Sequence, residues 1–121
     1  MARVVALIPD LLFGSNVRGA LTAAGHEVEL VGDADRAREC LADTPAVLVV
    51  DLVDGDLEGA TLLESFAAEG LLDQTRTLAF YSHVDASARE RAARAGFDLI
   101  VPRSRMAREG AALVASLAAD A

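Results

Sequence analysis

The chain has no lysine, one cysteine and no apolar run near the roughly 18 residues that a membrane span needs, and each absence narrows what it can be. With Cys40 alone no internal disulfide can form, and a lone thiol in an apolar helical stretch reads as a small core side chain rather than a nucleophile. The N-terminus passes directly into a strand-like segment, without the charged, apolar and small-residue zones of a signal peptide. No membrane association and a cytoplasmic location are expected. All 11 basic residues are arginine and alanine is abundant, a pattern of GC-rich coding bias that weakens the meaning of any single guanidinium. A formal net charge of -8 argues against direct nucleic-acid binding. The charge is uneven, however: residues 1–80 hold 14 acids and 5 bases, whereas 81–121 hold 5 acids and 6 bases, so the last third is locally basic.

No repeat, low-complexity tract or linker interrupts the 121 residues, and 53% hydrophobic with 25% charged content suits one soluble domain, 1–121, with a real core. Its centre is 46–59, AVLVVDLVDGDLEG. Five apolar residues lead to a carboxylate and an acidic, glycine-bearing turn follows, the pattern of a buried parallel strand that ends at Asp51. In open α/β sheets the crevice at the carboxyl ends of the strands receives ligands and chemistry. Asp51 is therefore a candidate site residue; the plainer reading is a solvated carboxylate that starts a loop.

In chain order, 3–8 is a continuous apolar strand stopped by Pro9. Helical spacing covers 15–24, with Gly25 at its C-terminal cap. Residues 26–31 alternate polar and apolar, the mark of a strand at a sheet edge. Asp33 caps a helix over 33–42 with Ala37 and Leu41 inward, and Thr44-Pro45 ends it. A helix over 57–69 carries Leu62, Leu63 and Phe66 on one stripe, and 75–81 is the fourth strand. Ser87-Ala-Arg-Glu90 reads as a capping box opening an Arg-rich helix that buries only Ala88, Ala92 and Ala95 and should be the loosest of the set. The fifth strand is 98–101, stopped by Pro102, and a last helix over 104–119 faces inward with Met106, Leu113, Val114 and Leu117. Five strands alternating with five helices predict an α/β fold, a five-stranded parallel sheet in a doubly wound three-layer sandwich.

The whole chain resembles the receiver domains of bacterial two-component response regulators, the flavodoxin-like (βα)5 type. Three anchors carry the resemblance: Asp51 followed eight residues later by Gly59, Gly25 in AAGHEV at the end of the first helix, and Ala95-Gly96-Phe-Asp98 entering the fifth strand. Such a receiver is implied to need two acids after the first strand to hold Mg²⁺, a small hydroxyl after the fourth, and a lysine after the fifth. Mg²⁺ wants hard oxygen ligands and neutralises charge as phosphoryl moves onto the aspartate. Counted from Gly25, the acidic pair falls on Ile8 and Pro9; Asp10, one step late, is either a substitute ligand beside Asp51 or a turn or cap residue. The hydroxyl position falls on Tyr81 or Ser82, and neighbouring His83 reads as a loop residue. The lysine position falls on Arg103, a larger, planar cation, and Ser104 stands where a proline commonly follows.

A flavodoxin phosphate loop, a nucleotide glycine fingerprint and the His-bearing loop of cobalamin domains are all missing. One phosphoacceptor-like aspartate with altered partners describes an atypical receiver. It is expected to be non-enzymatic, free of cofactor, little phosphorylated at best, and stand-alone, because the chain ends with its fifth helix. The alternative is a phosphorylatable single-domain regulator with Asp51 as acceptor and Mg²⁺ bound. A weaker third reading is a small-ligand sensor using the same crevice. A direct Asp51–Arg103 pair is expected where a phosphoryl group would sit. Arg89, Arg91, Arg94, Arg105 and Arg108 fall on the fourth and fifth helices. In receivers these form, with the fifth strand, the face used for dimerisation and partner docking; ordinary solvated helix surface is the competing reading.

Overall fold

The computed structural model describes residues 2–120. Five strands, β1 (Arg3–Leu7), β2 (Glu27–Val31), β3 (Val47–Asp51), β4 (Arg76–Tyr81) and β5 (Leu99–Pro102), form one parallel sheet in the order β2-β1-β3-β4-β5. Between and after them run α1 (Leu11–Ala23), α2 (Ala34–Leu41), α3 (Gly59–Ala68), α4 (Ala86–Ala95) and α5 (Arg103–Ala119). The alternating 26–31 segment is indeed an edge strand, and the all-buried β3 is central, as its unbroken apolar run requires.

Strand residues point alternately to two cores. Val47, Val49, Leu78 and Phe80 meet Val17 and Leu21 of α1 and Met106, Val114 and Leu117 of α5. Leu48, Val50 and Ala79 meet Leu41 of α2, Leu63 and Phe66 of α3 and Ala92 of α4. The inward residues predicted for α2 and α5 are buried, as are Leu63 and Phe66; Leu62 is only half-buried. In α4 Ala92 alone is fully buried; Ala95 and, beyond the helix, Phe97 join it in the core, and Arg91 ties the helix to Glu64 of α3.

Three helix starts differ from the sequence reading. α1 begins a turn earlier than 15, because Asp10 caps it by accepting from the Phe13 N–H at 3.0 Å. Exposed Leu11 and Leu12 and an intervening glycine hid that turn from the periodicity; Gly14 is in fact buried, and a Cβ there would stand 3.0 Å from Leu30 Cδ1 of β2. α3 begins at Gly59 rather than 57, because 55–57 form a single 3₁₀ turn and Glu58 adopts a left-handed conformation (φ 51°, ψ 54°) that breaks helical continuity. The α4 cap is Asp85 rather than Ser87: Asp85 accepts from the Ala88 N–H at 3.0 Å and from the Ser87 hydroxyl at 2.8 Å.

Candidate functional site

Asp51 is the last residue of β3, opposite Phe80 in β4, and only 2% exposed. A buried carboxylate must find donors, and the turn that follows supplies them. Oδ1 accepts from the N–H groups of Val53 at 2.7 Å and Asp54 at 3.2 Å. Burial pushes the Asp51 carboxyl above its ordinary pKa. The two amides, and more weakly Arg103, pull it back; Asp54 works with burial. The turn is held in the shape that presents those amides. Asp54 accepts from the Asp56 N–H at 3.0 Å, and the strained Glu58 delivers the chain to Gly59. Gly59 lies so close to the strand that a Cβ there would stand 2.7 Å from Val50 Cγ1 and 3.1 Å from the Asp51 carbonyl oxygen.

The residues after β1 make no acidic pair. Ile8 is buried and continues the sheet by donating its N–H to the Val31 carbonyl at 3.0 Å, and Pro9 is half-buried. Asp10 uses Oδ1 for the α1 cap and Oδ2 for Arg103, whose Nη2 lies at 3.4 Å. Among the described residues no three His, Cys, Asp or Glu side chains gather as a metal-ligand set.

The expected Asp51–Arg103 pair is not formed. Arg103 is the first residue of α5, and its guanidinium lies over the Phe13 ring, 4.2 Å from the centroid, in cation–π geometry, where Asp10 reaches it first. Phe13 in turn packs on Phe80 with ring centroids 5.0 Å apart. This aromatic contact was missed by the sequence reading, which began the first helix at 15, beyond Phe13. Tyr81 ends β4 opposite Pro102 of β5, and Ser82 follows it; both are half-buried, and neither hydroxyl bonds to Asp51 among the described residues. His83 is exposed in the loop, as expected.

Beside the crevice a cleft of about 260 Å³ opens between the turn after β3 and α4, lined by Leu52, Asp54, Gly59, Ala88 and Arg91 among others. A larger cleft of about 420 Å³ sits at the opposite end of the strands, around Arg76, Thr77 and Asp98, far from Asp51. Three of its polar residues engage one another: Asp98 accepts from the Thr77 N–H at 2.8 Å and pairs with Arg76. Of the α4 and α5 arginines, Arg91 is tied to Glu64 of α3, while Arg105 and Arg108 reach Glu109 at 3.4 and 3.5 Å. Arg89 and Arg94 are exposed and form no ion pair among the described residues.

No family model and no curated protein matches the chain. Solved structures do. The chain is similar to the receiver domain of the Francisella response regulator 1452, with TM-score 0.83 and 16% identity over 99% of this chain and 98% of that one. It is similar to the signal receiver domain of NarL from Mycobacterium tuberculosis, with TM-score 0.82 and 23% identity over 99% and 98%. It also matches NtrX from Brucella abortus, at TM-score 0.80 and 22% identity, and spans 26% of that longer chain. The fold is thus the receiver fold, with the strand order and five-helix arrangement of these domains. Among the described residues no helix is long and apolar enough to cross a membrane.

Proposed function

We propose that the chain is a receiver-fold signalling module, a non-enzymatic and cytoplasmic protein that acts by binding a protein partner and transfers little or no phosphoryl group to Asp51. One observation carries this reading: among the described residues, the positions after β1 offer Asp51 no free second carboxylate. Ile8 and Pro9 occupy the positions where the resemblance expects metal ligands, and Asp10 is spent on a helix cap and an arginine. We read that donor set as unfit for Mg²⁺, which needs several hard oxygens in octahedral array. Phosphoryl transfer depends on positioning and charge stabilisation, so this loss removes most of the rate. The likeness to receiver domains of response regulators supports a place in two-component signalling.

We assign the partner face to α4, β5 and α5, with Arg89, Arg91, Arg94, Arg105 and Arg108 as its basic residues. α4 buries one alanine, and low local stability suits a surface that rearranges on binding. The competing reading keeps Asp51 as a working acceptor with Mg²⁺ bound; its support is that Asp51 stands at the end of the central strand with one oxygen clear of backbone donors. Intact-mass spectrometry after incubation with acetyl phosphate and Mg²⁺ separates the two. Little or no adduct is expected; a dominant, rapidly formed adduct lost in Asp51→Ala overturns the proposal.

A further inference from the structure

The start of α5 is electrostatically awkward. Its capping position is Pro102, with no side-chain cap, and its first turn carries Arg103 and Arg105 against the positive end of the helix dipole. Arg105 is relieved within the helix by Glu109 at 3.4 Å. Arg103 instead reaches across the crevice mouth to Asp10, the cap of α1, and lies over the Phe13 ring. Phe13 leans on Phe80, the register partner of Asp51. A continuous bridge, Asp10, Arg103, Phe13 and Phe80, thus spans the strand ends on the side to which Asp51 points, and Asp51, though it stands at the mouth of the crevice, is almost wholly covered.

We propose that Arg103, held by Asp10 and stacked on Phe13, is a latch that closes the crevice over Asp51, and that its opening is what admits any reagent or partner group to that carboxylate. The inference rests on reading the crevice as a receiver pocket with poor acceptor chemistry. It adds that Asp51 is screened by a movable contact as well as short of a metal. The latch is half-exposed at both charged ends, so it is breakable without unfolding. It couples two places: releasing Arg103 uncovers Asp51 and frees the first turn of α5, which belongs to the proposed partner face.

Access to Asp51 is read by amide formation with a water-soluble carbodiimide and glycinamide near neutral pH, followed by peptide mass spectrometry. Exposed Asp56 and Glu58 serve as internal references. Carbodiimides attack protonated carboxyls, so charge effects must be separated from access, and three variants do so. Arg103→Gln removes a cation and favours protonation of Asp51. Asp10→Asn removes an anion, disfavours protonation, and keeps the α1 cap because asparagine caps as well as aspartate. Phe13→Leu changes no charge. The latch predicts a severalfold faster labelling of Asp51 in all three, with Asp56 and Glu58 unchanged and circular dichroism native. Faster labelling in Arg103→Gln with slower or unaltered labelling in Asp10→Asn would mean electrostatics alone, and the latch is then wrong. No change in any variant also overturns it. Because no phosphoryl transfer is measured, this result and that of the phosphodonor experiment fail independently.

Discussion

Gly59 and Gly19 both lie in helices, yet replacing each with alanine should move stability in opposite directions. A Cβ on Gly59 would stand 2.7 Å from Val50 Cγ1, 2.9 Å from Leu52 Cδ2 and 3.1 Å from the Asp51 carbonyl oxygen. Carbon atoms prefer separations of about 3.5–4.0 Å, so all three contacts are repulsive. Leu52 is half-buried and can turn away, but Val50 is fully buried and stiff at χ1, and the carbonyl belongs to the central strand. The start of α3 must therefore lift from β3. Overpacking of this kind costs about 1–3 kcal/mol, and the helix preference of alanine returns at most about 1 kcal/mol. The net loss is ~1–2 kcal/mol, or a fall in Tm of roughly 3–10 °C for a domain of this size. Nothing lies within 4 Å of a Cβ on Gly19, so Gly19→Ala keeps the helix gain alone and should raise Tm by about 2–6 °C. Thermal and urea unfolding followed by far-UV circular dichroism measure both. A Gly59→Ala protein at least as stable as the parent would refute the claim that α3 packs against β3 this tightly.

Three further outcomes are expected. Because burial raises the Asp51 pKa in the folded state, the stability tied to its protonated form is full below the unfolded carboxyl range near ~4 and is lost as pH rises through the folded value. Asp51→Asn should thus gain stability over the parent as pH climbs from about 4 to neutrality, and parallel urea midpoints across that range would sink the argument. His26 is buried and its Nδ1 accepts from the Ala2 N–H at 3.1 Å. His26→Ala leaves that amide unpaired at a cost of about 1–3 kcal/mol, so amide exchange at Ala2 and Glu27 should quicken before global opening; unaltered protection there contradicts it. Replacing Arg89, Arg91 and Arg94 together with alanine should weaken self-association or partner binding, which in the parent should fall as salt rises over the ~10 Å screening length at roughly 0.1 M. Equal sedimentation and pull-down of parent and variant at low and high salt would leave α4 as ordinary surface.

What the sequence determined by itself was the alternation of elements and the place of Asp51. Those follow from apolar runs, periodicities and Gly, Pro and Asp stops, which are local properties of a chain and need no neighbour to be read. The unbroken apolar stretch of 46–50 could only be a doubly covered strand, and the alternation in 26–31 could only suit an edge. Tertiary structure alone decided the helix starts and the ion pairs. The cap of α1 depends on Asp10 bending back to Phe13, and the α4 start depends on Asp85; each competes with an equally plausible neighbouring polar residue until the chain's path is fixed. The partner of Arg103, expected to be Asp51, was misassigned for the same reason. Asp10 and Asp51 both stand at strand ends beside it. The Phe13 ring, set by the earlier start of α1, is what holds the planar guanidinium on the Asp10 side, a choice made by side-chain packing between helices 90 residues apart in sequence.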